Sequence, residues 1–118
     1  METVMQLITD TIRAQLIANG RLSIEHPEFD PKPVVKLFTP DAGATWLISE
    51  CDPQEPDILY GLCDPGLGEP ELGTVSLAEI EALRRPLGLP VERDLYFEAK
   101  YPLSRYARMA IAAGVVIT

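Results

Sequence analysis

Between residues 34 and 75, the sequence alternates short apolar runs with segments rich in proline, glycine and aspartate. The runs at 34–38, 44–49, 58–63 and 72–75 have the length and composition of strands. The segments between them are too rich in Pro, Gly and Asp for a regular element. Because these connections are short, successive strands can pair only in antiparallel fashion. The pattern predicts an antiparallel meander.

A first helix is predicted ahead of these strands, over residues 10–18. Thr9 is a suitable N-cap, because its hydroxyl can accept a hydrogen bond from the first turn of the helix. The pair Asn19-Gly20 is typical of a helix end, where glycine readily adopts the left-handed conformation. Residues 21–33 are then expected to form a proline-containing loop.

Two further helices are predicted after the meander. Ser76 and Glu79 form a capping box, which begins a helix that ends at Pro86. Pro102 suits the first turn of the last helix, and Gly114 suits its end. An α+β fold follows, in which an antiparallel meander sheet of about four to five strands is packed by three helices. The fifth strand is residues 91–97, which alternate in polarity.

The chain has 118 residues, with 10 basic and 18 acidic side chains and a net charge of −8. This length suits a single globular domain over residues 1–118. No apolar run approaches the roughly 18 residues of a membrane helix, and residues 1–6 lack the basic start of a signal peptide. We therefore expect a cytoplasmic protein with no membrane partner. The acidic balance makes direct nucleic-acid binding the less favoured function.

Five separated segments resemble a known family. They read PVVKLFTP at 33–40, ATWL at 44–47, YGLCD at 60–64, GEPELG at 68–73 and GLPVERD at 88–94. These segments are similar to an uncharacterised domain-of-unknown-function family of small acidic proteins carried on bacterial plasmids and integrative conjugative elements. The resemblance implies a bacterial mobile-element setting. It implies no activity and no catalytic residues.

The two cysteines are predicted to be separate, reduced thiols. In a hairpin closed by residues 52–57, Cys63 pairs near Trp46 and Cys51 pairs near Ile58. The thiols are then about 16 Å apart along the strands, whereas a disulfide needs Cα atoms within about 7 Å. With one histidine and no C-x-x-C, the sequence offers no zinc ligand set. We expect Trp46 to be a buried core residue.

No catalytic residue, cofactor or small-molecule ligand is predicted. His26 could activate a cysteine only if the fold brought the two together. The glycines at 61–73 do not open a helix, as a phosphate-binding loop requires, and nearby carboxylates would repel phosphate. A carboxylate–metal hydrolase is an alternative, although the acidic spacing matches no calcium loop.

Charge is distributed unevenly along the chain. Residues 37–83 contain ten acidic residues and neither Lys nor Arg, whereas residues 84–118 contain six basic and three acidic residues. An acidic surface attracts proteins that carry basic nucleic-acid grooves. The candidate acidic binding face consists of six carboxylates, most of which we expect to be exposed on one side, namely Asp52, Glu55, Asp57, Asp64, Glu69 and Glu71.

A second candidate surface is basic. Arg93, Lys100, Arg105 and Arg108 could form a patch with interleaved tyrosines, which would suit single-stranded nucleic acid. The favoured function is a non-enzymatic accessory protein of a mobile element. It would bind a protein partner through the acidic face, and its most specific form is an anti-defence protein that mimics DNA. The single-strand binder and the hydrolase are the alternatives.

Overall fold

The computed structural model describes residues 6–118 and contains three helices and five strands. The strands form one antiparallel sheet in the order β4-β3-β2-β1-β5, which confirms the predicted α+β class. Strands β1 to β4 form the expected meander. In chain order the elements are α1 (Asp10–Glu25), β1 (Val35–Phe38), β2 (Thr45–Cys51), β3 (Ile58–Asp64), β4 (Glu71–Ser76), α2 (Leu77–Ala82), β5 (Glu92–Arg93) and α3 (Leu103–Ala113).

Helices cover both faces of the sheet. Because side chains alternate along a strand, Trp46 and Ile48 point to the face covered by α1 and α2, and Leu47 points to the face covered by α3. Trp46 is 8% exposed, so its predicted burial is confirmed. The core is therefore divided by the sheet into two apolar layers.

Helix α1 is longer than predicted. Asn19 and Gly20 are buried in its interior, and the helix continues to Glu25. The prediction that these residues end the helix was wrong, because both contact β2 and the packing energy offsets the low helix propensity of glycine. Only the later part of residues 21–33 is loop.

The other predicted boundaries differ less from the structure than the end of α1 does. Ser76 accepts a hydrogen bond from the backbone N–H of Glu79 at the start of α2, as the capping box predicts. Gly114 has a φ of 78° directly after α3, which confirms the predicted left-handed end. Strand β5 is limited to Glu92–Arg93, because Asp94 accepts a hydrogen bond from the backbone of Tyr96 and turns the chain.

No helix among residues 6–118 is long and apolar enough to cross a membrane. The expectation about a signal peptide rests largely on residues 1–5, which lie outside the described part of the chain.

Candidate functional site

A β-bulge interrupts the pairing of β2 with β3. Ile48 is opposite Gly61 and Glu50 is opposite Tyr60, so Ser49 is an extra residue in β2. Such an insertion reverses the alternation of the side chains that follow it. Cys51 therefore points into the core beneath α1, and Glu50 lies on the face that also carries Tyr60.

Helix α1 packs directly against the bulge. The Nδ2 of Asn19 donates a hydrogen bond to the carbonyl oxygen of Ser49 at 2.9 Å, in a buried position. A Cβ atom on Gly20 would be 2.1 Å from the carbonyl oxygen of Cys51. On the other side of β2, a Cβ atom on Gly61 would be 2.0 Å from the carbonyl oxygen of Leu47. Close backbone approach on both sides explains why glycine occupies these two positions.

Two depressions adjoin the bulge and share Glu50 and Tyr60, and together we call them the acidic groove. The first has a volume of about 380 Å³ and lies where β2 enters its loop to β3. Its wall includes apolar side chains, among them Ile24, which is 73% exposed. The second has a volume of about 250 Å³ and lies between the 27–31 segment and α3. Leu72 and Thr74 of β4 line the second and the first depression, respectively.

The 27–31 segment is held in place by α3. The carbonyl oxygen of Pro31 accepts a hydrogen bond from the backbone N–H of Leu103 at 2.9 Å. The carboxylate of Asp30 accepts hydrogen bonds from the backbone N–H and the hydroxyl of Ser104. Asp30 therefore caps the first turn of α3 from a distant part of the sequence, and this contact forms one wall of the groove.

The groove is rich in hydrogen-bond acceptors. Its walls include the carboxylates of Glu28, Asp30, Glu50 and Asp52, whereas no Lys or Arg within residues 6–118 lines either depression. One oxygen of Glu50 accepts a hydrogen bond from the hydroxyl of Ser23 at 2.8 Å.

Ser49 and Tyr60 also line the second depression, and Tyr60 lines both. The hydroxyl of Ser49 is buried and has no hydrogen-bond partner among the described residues. The pKa of Tyr60 is raised, first by burial and then by the negative charges of Glu50 and Asp30. Its phenol is therefore neutral at physiological pH.

The six residues of the predicted acidic face do not lie together. Asp52, Glu55 and Asp57 are exposed on the loop before β3, and Glu69 and Glu71 are exposed near its other end. One of these charges is partly balanced, because Arg13 forms an ion pair with Asp57 at 3.0 Å.

Asp64 is the exception within this set. It is fully buried, and its two oxygens accept hydrogen bonds from the backbone N–H groups of Gly66 at 2.9 Å and Val116 at 3.0 Å. Its prediction as part of an exposed face was wrong. Asp64 instead fastens the segment after α3 to the turn that follows β3.

The predicted basic patch is divided between the two faces of the sheet. Arg93 is opposite Leu37 on the α1 side, and its guanidinium donates hydrogen bonds to the carbonyl oxygens of Gln6 and Leu7. Arg105 and Arg108 are exposed on α3, on the other side. The four residues therefore do not form one surface.

Part of the basic set remains together near α3. The guanidinium of Arg105 lies 3.9 Å from the centre of the Tyr101 ring. Tyr106 is buried, and its hydroxyl accepts a hydrogen bond from the backbone N–H of Lys100 at 2.9 Å. Tyr101 and Tyr106 thus serve packing and cation contacts within the protein.

Both cysteines are free, as predicted. Cys63 is opposite Trp46 as expected, and Cys51 is opposite Leu59 because of the bulge. Burial raises the pKa of the Cys63 thiol to about 11 and also raises that of Cys51. Thiols in this state are poor nucleophiles at neutral pH.

The alternative of a carboxylate–metal hydrolase has no candidate metal site among the described residues. Within residues 6–118, no group of three or more His, Cys, Asp and Glu side chains is arranged to hold a metal ion. The carboxylates of the two loops are separated by the length of β3, so they cannot all reach one ion.

Sequence reasoning did not identify Ser49, Glu50 and Tyr60 as a site. One local signal was present, because the polar pair Ser49-Glu50 separates the apolar run 46–48 from Cys51, and two adjacent polar residues break the alternation of a regular strand. The direction in which Glu50 points depends on the bulge, which that signal alone does not locate.

Comparison with known proteins gives a family without a described activity. The family model "Protein of unknown function (DUF2958)" matches residues 7–117, and the chain belongs to this family. No curated protein and no solved structure matches the chain.

Proposed function

We propose that this member of the DUF2958 family is a non-enzymatic protein-binding module that holds a basic segment of a protein partner in its acidic groove. The observation that supports this most directly is the composition of the groove. Four acidic residues line it, without a Lys or Arg from the described residues. A ligand that supplies positive charge and several donors would complete these contacts.

Lysine and arginine side chains have this chemistry. Both are donors without acceptor groups, so they match a wall of carboxylate and hydroxyl oxygens. Their aliphatic stems can lie against the apolar part of the wall, including Ile24 and Ile58. Glu50 is the central group, because it belongs to both depressions.

The exposed carboxylates outside the groove have a separate role in this proposal. Glu55 lies exposed on the adjoining loop, where its charge attracts a basic partner before contact. Attraction of this kind raises the association rate and weakens as salt is added. It requires no fixed geometry at each carboxylate.

The more specific form of the proposal is a cytoplasmic accessory role in a bacterial mobile element. The partner would then be a nucleic-acid-binding protein, whose basic groove presents the segments that the carboxylates bind. A DNA mimic would hinder a defence enzyme by competing with DNA for that groove. The support is the net charge of −8 and the spread of exposed carboxylates over both ends of β3.

Fluorescence anisotropy with a labelled peptide of alternating lysine and threonine tests the binding proposal. Glu50→Gln should weaken peptide binding by about tenfold or more, as expected for losing a charge-assisted hydrogen bond. The matched control is Glu81→Gln, which removes an exposed carboxylate of α2 outside the groove and should change affinity less than about twofold.

Two results would contradict the proposal. Equal weakening by both variants would show that the peptide responds to net charge alone. Tight binding of an oligothymidine that is lost in the variant Arg105→Glu/Arg108→Glu would instead favour the single-strand binder.

A further inference from the structure

We infer that β4 is a strand-addition site, at which an extended basic segment of a protein partner pairs with the open edge of the sheet. This inference rests on the proposed function and specifies how the partner is bound. It depends on the backbone of β4 and on the position of that strand beside the acidic groove.

Strand β4 forms one edge of the sheet and pairs with β3 alone among the described residues. The backbone N–H of Leu77 donates a hydrogen bond to the carbonyl oxygen of Asp57 at 2.8 Å, and these residues are next in the β3–β4 register. Hydrogen-bonded and non-hydrogen-bonded pairs alternate along an antiparallel ladder. Counting back from Leu77, the residues bonded to β3 are Val75, Gly73 and Glu71. The backbone groups of Leu72 and Thr74 consequently face the open edge.

The pairing of β3 with β2 gives the same result independently. The backbone N–H of Asp52 donates a hydrogen bond to the carbonyl oxygen of Ile58 at 2.9 Å, so the backbone groups of Ile58 face β2. Alternation then directs Leu59 and Gly61 toward β4. Their partners in the register are Val75 and Gly73, which are the same inward-facing residues.

The residues with outward-facing backbone groups also line the groove. Leu72, which is 42% exposed, lines the second depression, and Thr74 lines the first. They are two positions apart, so they are on one face of the strand. A partner strand would therefore place alternate side chains next to both depressions while its backbone bonds to Leu72 and Thr74.

The two edges of the sheet differ in how they are protected. Strand β5, at the opposite edge, has two residues, which offers little backbone for pairing. Strand β4 has six residues and contains neither Pro nor Lys, the residues that commonly prevent edge pairing. An unprotected edge of this length can accept an added strand.

The negative charge around this edge favours a basic segment over a second copy of the chain. The groove beside β4 carries Glu28, Asp30 and Glu50, and Glu71 lies at the start of the strand itself. A basic segment complements these groups. A second copy of the chain would bring the same carboxylates together, with a net charge of −8 on each copy, and is disfavoured by repulsion.

Hydrogen exchange of the full-length protein with the alternating lysine–threonine peptide tests the inference. The amides of Leu72 and Thr74 should exchange at least about tenfold more slowly with saturating peptide, because they gain partners in the added strand. The amides of Gly73 and Val75 already bond to β3 and should change little. If binding occurs without added protection at Leu72 and Thr74, the inference is wrong.

A peptide with every backbone nitrogen methylated provides the matched probe. It keeps the lysine side chains but cannot donate backbone hydrogen bonds, so its affinity should fall at least about tenfold. Unchanged affinity that still depends on Glu50 would contradict strand addition and leave the proposed function intact. Failure of both peptides to bind would contradict the proposed function itself.

A variant of the protein supplies a second measurement. Thr74→Pro removes an outward-facing N–H without removing a bond to β3, so the sheet should persist and peptide binding should weaken. Thr74→Ala is the control and should bind nearly as well as the wild type. Sedimentation of the protein alone should show a monomer, and a dimer disrupted by Thr74→Pro would assign the edge to a second copy instead.

Discussion

Gly20 of α1 lies against the carbonyl oxygen of Cys51 at the end of β2, so closely that a Cβ atom would be 2.1 Å from that oxygen. This contact brings the helix down onto the bulged strand. The bulge in turn places Glu50 in the acidic groove. A helix position and a site residue 30 positions later are thus coupled through one backbone contact.

The first prediction follows from that contact. Gly20→Ala should destabilise the protein by about 1–3 kcal/mol, because a forced shift of α1 outweighs the gain in helix propensity. Urea denaturation followed by circular dichroism measures the change. Gly73→Ala is the control, since a Cβ there meets no atom within 4 Å, and it should be tolerated. Equal stability of the two variants would contradict the close packing of α1.

The second prediction concerns the core beneath α1. Trp46→Ala should lower the free energy of unfolding by about 3–5 kcal/mol, because it leaves a large cavity in a buried layer. Tyr96→Ala removes an aromatic ring that is 93% exposed, and its effect should stay within about 0.5 kcal/mol. Chemical denaturation followed by circular dichroism compares both. A small effect at Trp46 would mean that this residue does not anchor the core.

The third prediction concerns Asp64. Asp64→Ala should cost about 1–3 kcal/mol or more, because the backbone N–H groups of Gly66 and Val116 both lose their acceptor. Hydrogen exchange should also become faster at the amide of Val116, which reports the release of the segment after α3. Glu69→Ala, at a nearby exposed carboxylate, should leave both measurements unchanged. If Asp64→Ala changed neither the stability nor the exchange at Val116, the structural role of Asp64 would be contradicted.

The fourth prediction concerns pH and the Cys63 thiol. Burial raises its pKa from 9.0 to about 11 in the folded protein, so folding favours the neutral thiol. The resulting contribution to stability is complete below about pH 9 and is lost as the pH rises toward about 11. At pH 8, alkylation of Cys63 by iodoacetamide should be about 100-fold slower in the folded than in the unfolded chain.

Peptide mapping by mass spectrometry would separate Cys63 from Cys51 in this experiment. The Cys63→Ser variant should show a smaller fall in stability between pH 9 and 11 than the wild type. Rapid alkylation of folded Cys63 at pH 8 would contradict its burial.

Much of the fold was predictable because its determinants are local. The capping box at Ser76 and the left-handed Gly114 act within one helical turn, and both predictions were confirmed. The pairing of Trp46 with Cys63 followed from strand length and loop length. The candidate site was harder to predict from the sequence. The six acidic residues were chosen by charge, and Asp64 among them is buried.

The sequence by itself determined the antiparallel meander, the positions of its turns and the acidic character of the chain. Alternating apolar residues and turn-forming residues suffice for these, because each acts over a few neighbouring positions. Only the tertiary structure decided that Asn19-Gly20 continues a helix, that Ser49 is an inserted residue and that Glu50 faces the groove. These outcomes depend on contacts between α1 and β2, which are about 30 residues apart in the chain, and such packing overrides local propensity.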